Sequence, residues 1–367
     1  MDTNSLKKTR RIERWGMSLK EIRQKIDLLD SRILRILNDR MTLALMAKKF
    51  KSSIEDSERE KELIERIRSN STGLINAEFV EKIYIEIIKE SKNLQMKDQK
   101  LIGFRGKHGA YGEVASREWN SEYVPAPCSE YADVFEGVKT GLYEYGIVPV
   151  ENTLGGVVGE VNELLVNTDL YISGAVDLPI YLCLLVLPGT DHREIHTVYS
   201  NSQALAQCRN FLARNGLEPF QYYDSAGAAK MLGEETPKSS AVIASKLSAD
   251  IYNLEIVKED IDDFERNTTR FLVLSKEENK EEGDKCSVLF STEHKSGTLF
   301  SVLELFARES INLTRIGSIQ SGMGSYVFFL DFIGSNRDEN VIKALDDIKK
   351  VTTNFRFMGC YKERKVE

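Results

Sequence analysis

Residues 19–51 read LKEIRQKIDLLDSRILRILNDRMTLALMAKKFK, with no proline and no glycine. Apolar side chains recur at Ile22, Ile26, Leu29, Ile33, Ile36, Leu43, Ala47 and Phe50, the spacing of one helix face. The spacing predicts a helix from about Leu19 past Phe50. At a rise of ~1.5 Å per residue it is about 50 Å long, too long for a small compact domain unless another chain covers it. Arg40 takes the place in this stripe between Ile36 and Leu43. Lys51 lies three turns further on nearly the same face, and Arg23 borders the stripe upstream.

Two more helices are expected before residue 99, because this zone has no proline and only one glycine, Gly73. The first spans about Ser57 to Ile67, with Leu63 and Ile67 inward and Asp56 and Glu60 on the same face. The second spans about Ala77 to Met96, and its inner face runs from Tyr84 and Ile88 through Ser91 to Gln95. Singly, Arg40 or Lys51 reads as a snorkelling edge residue and Glu60 as a solvated helix face. Together they are costly to bury without a polar ligand.

Ile22-Arg23 through Asp30, Asp39-Arg40, Lys51, Asp56 to Glu60, and Ser91 with Gln95 resemble the all-helical chorismate mutase family. The resemblance implies an all-α three-helix domain over 17–98 that forms an intertwined dimer. It also implies a rearrangement of chorismate to prephenate that needs no cofactor. Arg40 and Arg59 then hold the carboxylates, with Arg23 supplied by the partner chain. Guanidiniums suit that task through bidentate, charge-assisted bonds. Lys51 and Gln95 face the ether oxygen, where negative charge develops. Glu60, with Asp56 nearby, accepts the ring hydroxyl, and Ser91 assists.

From Leu101 to about Ser275 the pattern changes. Short apolar runs alternate with helical stretches, and all seven prolines fall here. That reads as α/β with largely parallel strands. Gly106-Lys-His-Gly109-Ala-Tyr, Val148-Pro149-Val-Glu151-Asn152-Thr153-Leu-Gly155-Gly156 and Asn267-Thr268-Thr269-Arg270-Phe271 resemble prephenate dehydratases. The resemblance departs at Asn201-Ser202, where the family commonly has His-Pro, and at Ser225-Ala226. It implies a two-lobed, periplasmic-binding-like α/β domain over 100–276. Prephenate loses carbon dioxide and hydroxide there without a metal. Thr269 is the implied donor to the leaving hydroxyl. Glu151, Asn152, Thr153, Ser200, Gln203 and Gln207 line the pocket, and Arg270 braces it or meets a carboxylate. The glycines form no spaced GxGxxG, which excludes a dinucleotide site.

A charged linker, residues 276–285, leads into a strand–helix–strand–strand–helix–strand order, which is ferredoxin-like. Gly297-Thr298-Leu299 and Asn312-Leu313-Thr314 resemble the ACT domain appended to dehydratases. This implies an α+β module over 286–363 that pairs between protomers and binds phenylalanine through Gly297, Thr298, Leu299, Asn312 and Leu313. Gly317-Ser318-Ile319-Gln320 stands where that family has Glu-Ser-Arg-Pro, so an ion-pairing option is lost.

The bulk properties are compatible. A net charge of -7 lacks the basic footprint of a nucleic-acid binder. No apolar run suits a membrane span or secretion signal, and the basic start at Lys7 to Arg11 reads as a solvated terminus. Five dispersed cysteines suit reduced thiols in the cytoplasm. His192 and His196 are four apart, but nothing near them completes a metal set. The whole resembles a bifunctional chorismate mutase–prephenate dehydratase, a homodimer or higher oligomer with small-molecule substrates. A dehydratase whose N-terminal helices are only a dimerisation arm is one alternative. A non-enzymatic two-lobed sensor of a small anion is another.

Overall fold

The structure is a computed structural model that describes residues 18–366, apart from 72, 236, 238, 265 and 321–325. The basic stretch at Lys7 to Arg11 and the expected domain start at residue 17 lie outside the described residues. The chain folds as two compact units. Of the described residues, one takes those up to Met41, His108–Ala110 and Tyr181–Phe264; the other takes those in Thr42–Lys107, Tyr111–Ile180 and beyond Glu265.

Among the described residues three helices come first: α1 (Leu19–Lys48), α2 (Ser57–Asn70) and α3 (Ala77–Met96). The first ends two residues short of Phe50, in a turn at Lys49 and Phe50. Asp56 caps α2 by accepting from the Arg59 amide, and Asn76 caps α3 by accepting from the Glu78 amide. Both are the side chains that helix starts favour. The apolar stripe lies open in the single chain: Ile26, Leu29, Ile33 and Leu43 are all at least half exposed. The buried positions of α1 are Arg35, Thr42 and Leu45, and α2 buries nothing fully. Three helices of one chain cannot close a core around a stripe this long, so its apolar face stays open.

In the second unit the fully buried run Leu101 to Phe104 makes β1 (Leu101–Arg105) a central strand. It pairs in parallel with β2 (Val124–Cys128) and β3 (Tyr145–Asn152). The short β4 (Gly156–Val157) folds back on β3, and β5 (Tyr171–Pro179) belongs to the same sheet. The other unit holds β6 (Cys183–Val186), β7 (Thr197–Ser200), β8 (Glu218–Gln221), β9 (Ser240–Ala244) and β10 (Glu255–Lys258), in the order β10-β6-β9-β7-β8. The chain then returns as β11 (Thr268–Ser275), which inserts antiparallel between β3 and β5. The expectation of largely parallel strands therefore needs correction, since both sheets are mixed. Periodicity cannot register a strand that comes back after ninety residues to run against its neighbours.

The C-terminal sheet comprises β12 (Lys285–Ser291), β13 (Leu313–Gln320), β14 (Tyr326–Ile333) and β15 (Thr353–Tyr361), in the order β13-β14-β12-β15. Helices Thr298–Arg308 and Glu339–Val351 cover one face around Phe290, Phe306, Phe332 and Ile348. This is the expected ferredoxin-like arrangement. The last strand, β16 (Glu363–Lys365), leaves this sheet and adds in parallel to β5. Gly359, at φ +143, lets β15 approach β5: a Cβ there would stand 2.3 Å from the Ile172 carbonyl oxygen. Gly359→Ala is expected to destabilise the protein by about 1–3 kcal/mol, from overpacking and the disallowed backbone angle. A lowered urea midpoint at unchanged slope checks this.

Candidate active sites

Of the side chains expected to grip chorismate, Arg23 and Arg40 lie on α1 within the first unit, and the other six lie in the second. Lys51 follows the end of α1, with its Nζ 3.5 Å from Asp56. The Glu60 carboxylate meets Lys92 of α3 at 2.7 Å, and Arg59 meets Glu62 at 3.2 Å. Ser91 and Gln95 are the two buried residues of α3. The Ser91 hydroxyl donates to the Ile87 carbonyl and the Gln95 amide to the Ala44 carbonyl, at 2.8 and 2.7 Å. Lys92 was not singled out by sequence. It lies one residue beyond the Ser91 face, and only the fold turns it toward Glu60. Between α2 and α3 lies an open groove of about 560 Å³, lined by Glu60, Ile64, Arg68, Ile85, Ile88 and Lys92. That size suits a small ligand, with an apolar floor and a charged rim.

The strand ends of β3 and β11 carry a second polar group. Asn152 and Thr269 are direct cross-strand partners. The Asn152 Oδ1 accepts from the backbone amides of Leu154 and Gly155, at 3.0 and 2.7 Å. That fixes which way the amide faces. Its Nδ2 donates to the Thr269 Oγ1 at 2.9 Å and to the Asn267 Oδ1 at 2.8 Å. The Thr269 oxygen is thus an acceptor toward Asn152, and its own hydrogen is directed elsewhere. Thr153 ties the two strand ends together, accepting from the Thr268 amide at 3.0 Å and donating to the Arg266 carbonyl at 3.2 Å. Thr269 is nearly buried, at 9% exposure.

Arg270, the next residue, points away from this group and into the C-terminal sheet. Its guanidinium pairs with Asp331, with Glu363 at 2.7 Å and with the Tyr361 hydroxyl at 3.1 Å. Burial alone would lower its pKa; the acids Asp331 and Glu363 outweigh burial and raise it. Burial pushes the Glu363 carboxyl up, but Arg270 and Lys285 hold it below the usual range. Of the two parts expected for Arg270, these contacts favour bracing. Glu151 bonds to Arg315 of β13 at 3.0 Å. Arg315 escaped sequence reasoning. The only available signal was a charge on a strand face otherwise alternating with exposed Thr314 and Ile316.

Ser200, Gln203 and Gln207 lie in the first unit. Ser200 is fully buried, donating to the Ile243 carbonyl at 2.6 Å and lying 2.9 Å from the Ser225 hydroxyl. Gln203 is exposed and Gln207 buried, on the helix Ser202–Gln207. In the C-terminal module, Gly297 precedes the helix Thr298–Arg308 at φ +86. The Thr298 hydroxyl donates to the Glu293 and Lys295 carbonyls, both at 3.0 Å. Leu299 and Leu313 pack against the module's core, and the Asn312 carbonyl accepts from Ile333 at 2.9 Å. Among the described residues no cluster of metal-ligating side chains occurs, and no helix is long and apolar enough to cross a membrane.

The profile described as chorismate mutase type II matches residues 22–96, and that of prephenate dehydratase matches 102–279. Over 360 residues the chain is 36% identical to a bifunctional chorismate mutase/prephenate dehydratase of Aquifex aeolicus, covering 94% of this chain and 97% of that one. Among solved structures it is similar to a prephenate dehydratase from Arthrobacter aurescens in complex with L-Phe. That likeness has a TM-score of 0.66 and 27% identity, over 71% of this chain and 89% of the other. A structure described as GqqA, a novel type of quorum quenching acylase, has a TM-score of 0.67 and 29% identity, over 71% and 97% of the two chains.

Proposed function

Because this chain belongs to the bifunctional chorismate mutase/prephenate dehydratases, which carry out two steps of phenylalanine biosynthesis, we propose which side chains perform each step. The enzyme rearranges chorismate to prephenate. It then removes carbon dioxide and the ring hydroxyl from prephenate to give phenylpyruvate.

Thr269 is the donor for the second step, and the orientation of Asn152 carries this reading. With its oxygen accepting from Asn152, the threonine offers its hydrogen to the leaving hydroxyl. As the ring carbon–oxygen bond breaks, the ring carboxylate departs as carbon dioxide. Its bonding pair completes the aromatic ring, so no metal or other electron acceptor is required. Glu151, Asn152 and Thr153 shape the site around that hydrogen bond, and Arg270 braces it from behind. Ser200, Gln203 and Gln207 are assigned to prephenate by their likeness to the family's sequence.

For the first step, Arg40 and Arg59 bind the two carboxylates, and Arg23 is contributed by the partner chain. Lys51 and Gln95 stabilise charge growing on the ether oxygen, Glu60 and Asp56 hold the ring hydroxyl, and Ser91 assists. The burial of Ser91 and Gln95 on a helix that fully buries no apolar residue supports this. Of these side chains, Glu60 lines the groove between α2 and α3. The open stripe of α1 supports a homodimer in which a second chain covers it. Replacing Ile26 and Ile33 together by Glu is expected to split the dimer, since each buried aliphatic side chain contributes about 1.5–3 kcal/mol. Sedimentation shows the dissociation, and chorismate turnover falls with it. Full turnover by a monomer would refute the shared site. The C-terminal module binds phenylalanine as effector, through Gly297, Thr298, Leu299, Asn312 and Leu313. The three domains are 17–98, 100–276 and 286–363.

The assignment is tested by supplying chorismate and prephenate separately to the purified enzyme and to its Lys51→Ala and Thr269→Ala variants. Each substitution should stop one reaction and spare the other. Loss of both reactions from one substitution in a folded protein would overturn it.

A further inference from the structure

Four charged residues of the second unit form two ion pairs in a crossed arrangement. Within the dehydratase sheet, Arg270 of β11 and Glu151 of β3 are cross-strand partners. Within the C-terminal sheet, Arg315 of β13 and Asp331 of β14 are cross-strand partners. Register alone would allow each arginine to pair with the acid beside it. The side chains exchange partners instead: Arg270 pairs with Asp331, and Arg315 pairs with Glu151 at 3.0 Å. Each pair therefore bridges from one sheet to the other. Glu151 adjoins Asn152, and Arg270 adjoins Thr269, so both bridges end one residue from the proposed dehydration chemistry.

The Arg315 side chain is only 6% exposed, and its Nη2 donates to the Asn162 Oδ1 at 2.9 Å. Its guanidinium stacks 4.8 Å above the Phe329 ring. Its remaining nitrogen, Nη1, is buried with no hydrogen-bond partner among the described residues. An orphaned buried donor costs stability, and a buried ion pair is weak evidence of a stabilising role. A residue chosen for stability at this position would be apolar. An arginine here is explained by what it holds.

We propose that Arg315, carried by the C-terminal module, is a positioning residue for dehydration: through Glu151 it sets the strand end that presents Asn152 to Thr269. The crossed partner, Arg270 with Asp331, fixes the other strand end against the same sheet. The module is thereby part of the dehydratase's working geometry and not an appendage to it. This rests on the assignment of Thr269 and Asn152 above.

The test compares Arg315→Gln, Arg315→Lys, Glu151→Gln and the double variant Arg315→Gln/Glu151→Gln in the full-length enzyme. Each is assayed for kcat and KM on prephenate and for chorismate turnover. Misplacing a catalytic group by about 1 Å can cost about a hundredfold. Arg315→Gln is accordingly expected to lower kcat on prephenate by about tenfold to a hundredfold, with KM changed less and chorismate turnover unchanged. Arg315→Lys keeps a cation opposite Glu151 and should recover much of the rate. The double variant should be no slower than Glu151→Gln alone, because the arginine acts through that acid. Wild-type kcat in Arg315→Gln, or losses that multiply in the double variant, would overturn the proposal. If Arg315→Gln does not fold, wild-type kcat in Arg315→Lys together with Glu151→Gln does the same. A Thr269→Ala enzyme at full prephenate turnover would instead remove the underlying assignment, which keeps the two failures apart.

Discussion

Thr269→Ala is expected to lower prephenate turnover by about 10²–10⁴, the range that a positioned proton donor contributes. The side chain is small and sits at the second residue of β11, so deleting its hydroxyl and methyl opens little space. What is lost is the hydrogen bond whose direction Asn152 sets. The Asn152 amide, held by the Leu154 and Gly155 backbone, has no other orientation to adopt and would still face the vacated position. Thr269→Ser restores an oxygen that accepts from Asn152 and a hydrogen free for the substrate. It should return to within about tenfold of the parent, as expected when a donor and not the methyl matters. Phenylpyruvate formation from added prephenate measures both. Chorismate consumption by the same preparations should not change, which rules out a folding defect.

Lys51→Ala is expected to lower chorismate turnover by about 10²–10³, the cost of removing one preorganised donor from a site of developing negative charge. Its pairing with Asp56, at 3.5 Å with both side chains more than a third exposed, contributes at most about 1 kcal/mol to stability. A stability effect cannot account for a hundredfold loss, so the two explanations separate by magnitude. Prephenate given directly should be converted at the parent rate. Lys51→Arg tests geometry: it keeps the charge but replaces a compact ammonium with a planar fork, and should recover only part of the activity.

Much of this was legible in the primary structure, for identifiable reasons. The three helices announced themselves through apolar period and the lack of proline; that Asp56 and Asn76 cap α2 and α3 emerged only from the fold. The C-terminal β-α-β-β-α-β order followed from alternation in short strands. What periodicity could not supply was which way a face would turn. The stripe from Ile26 to Leu43 needs a cover, and the length of the helix assigns that cover to another chain without saying which side of one chain stays open. In one chain it is the exposed side, and Arg35 occupies a buried place, bonded to Glu234 at 2.5 Å. Pairing was equally hidden. Thr269, Asn152 and Arg270 were picked out singly, but nothing in the order of residues says that β11 returns against β3, or that Arg270 reaches Asp331. Arg315 was missed for the same reason. Its partner Glu151 lies 164 positions away, and only the fold makes them neighbours.

An enzyme that completes its mutase site with a second chain over the exposed stripe of α1, as proposed above, ties one of its two reactions to its own abundance. On dilution, chorismate turnover per chain should fall once association fails, while prephenate turnover per chain holds steady. The ratio of the two rates would then report how much of the enzyme a cell contains.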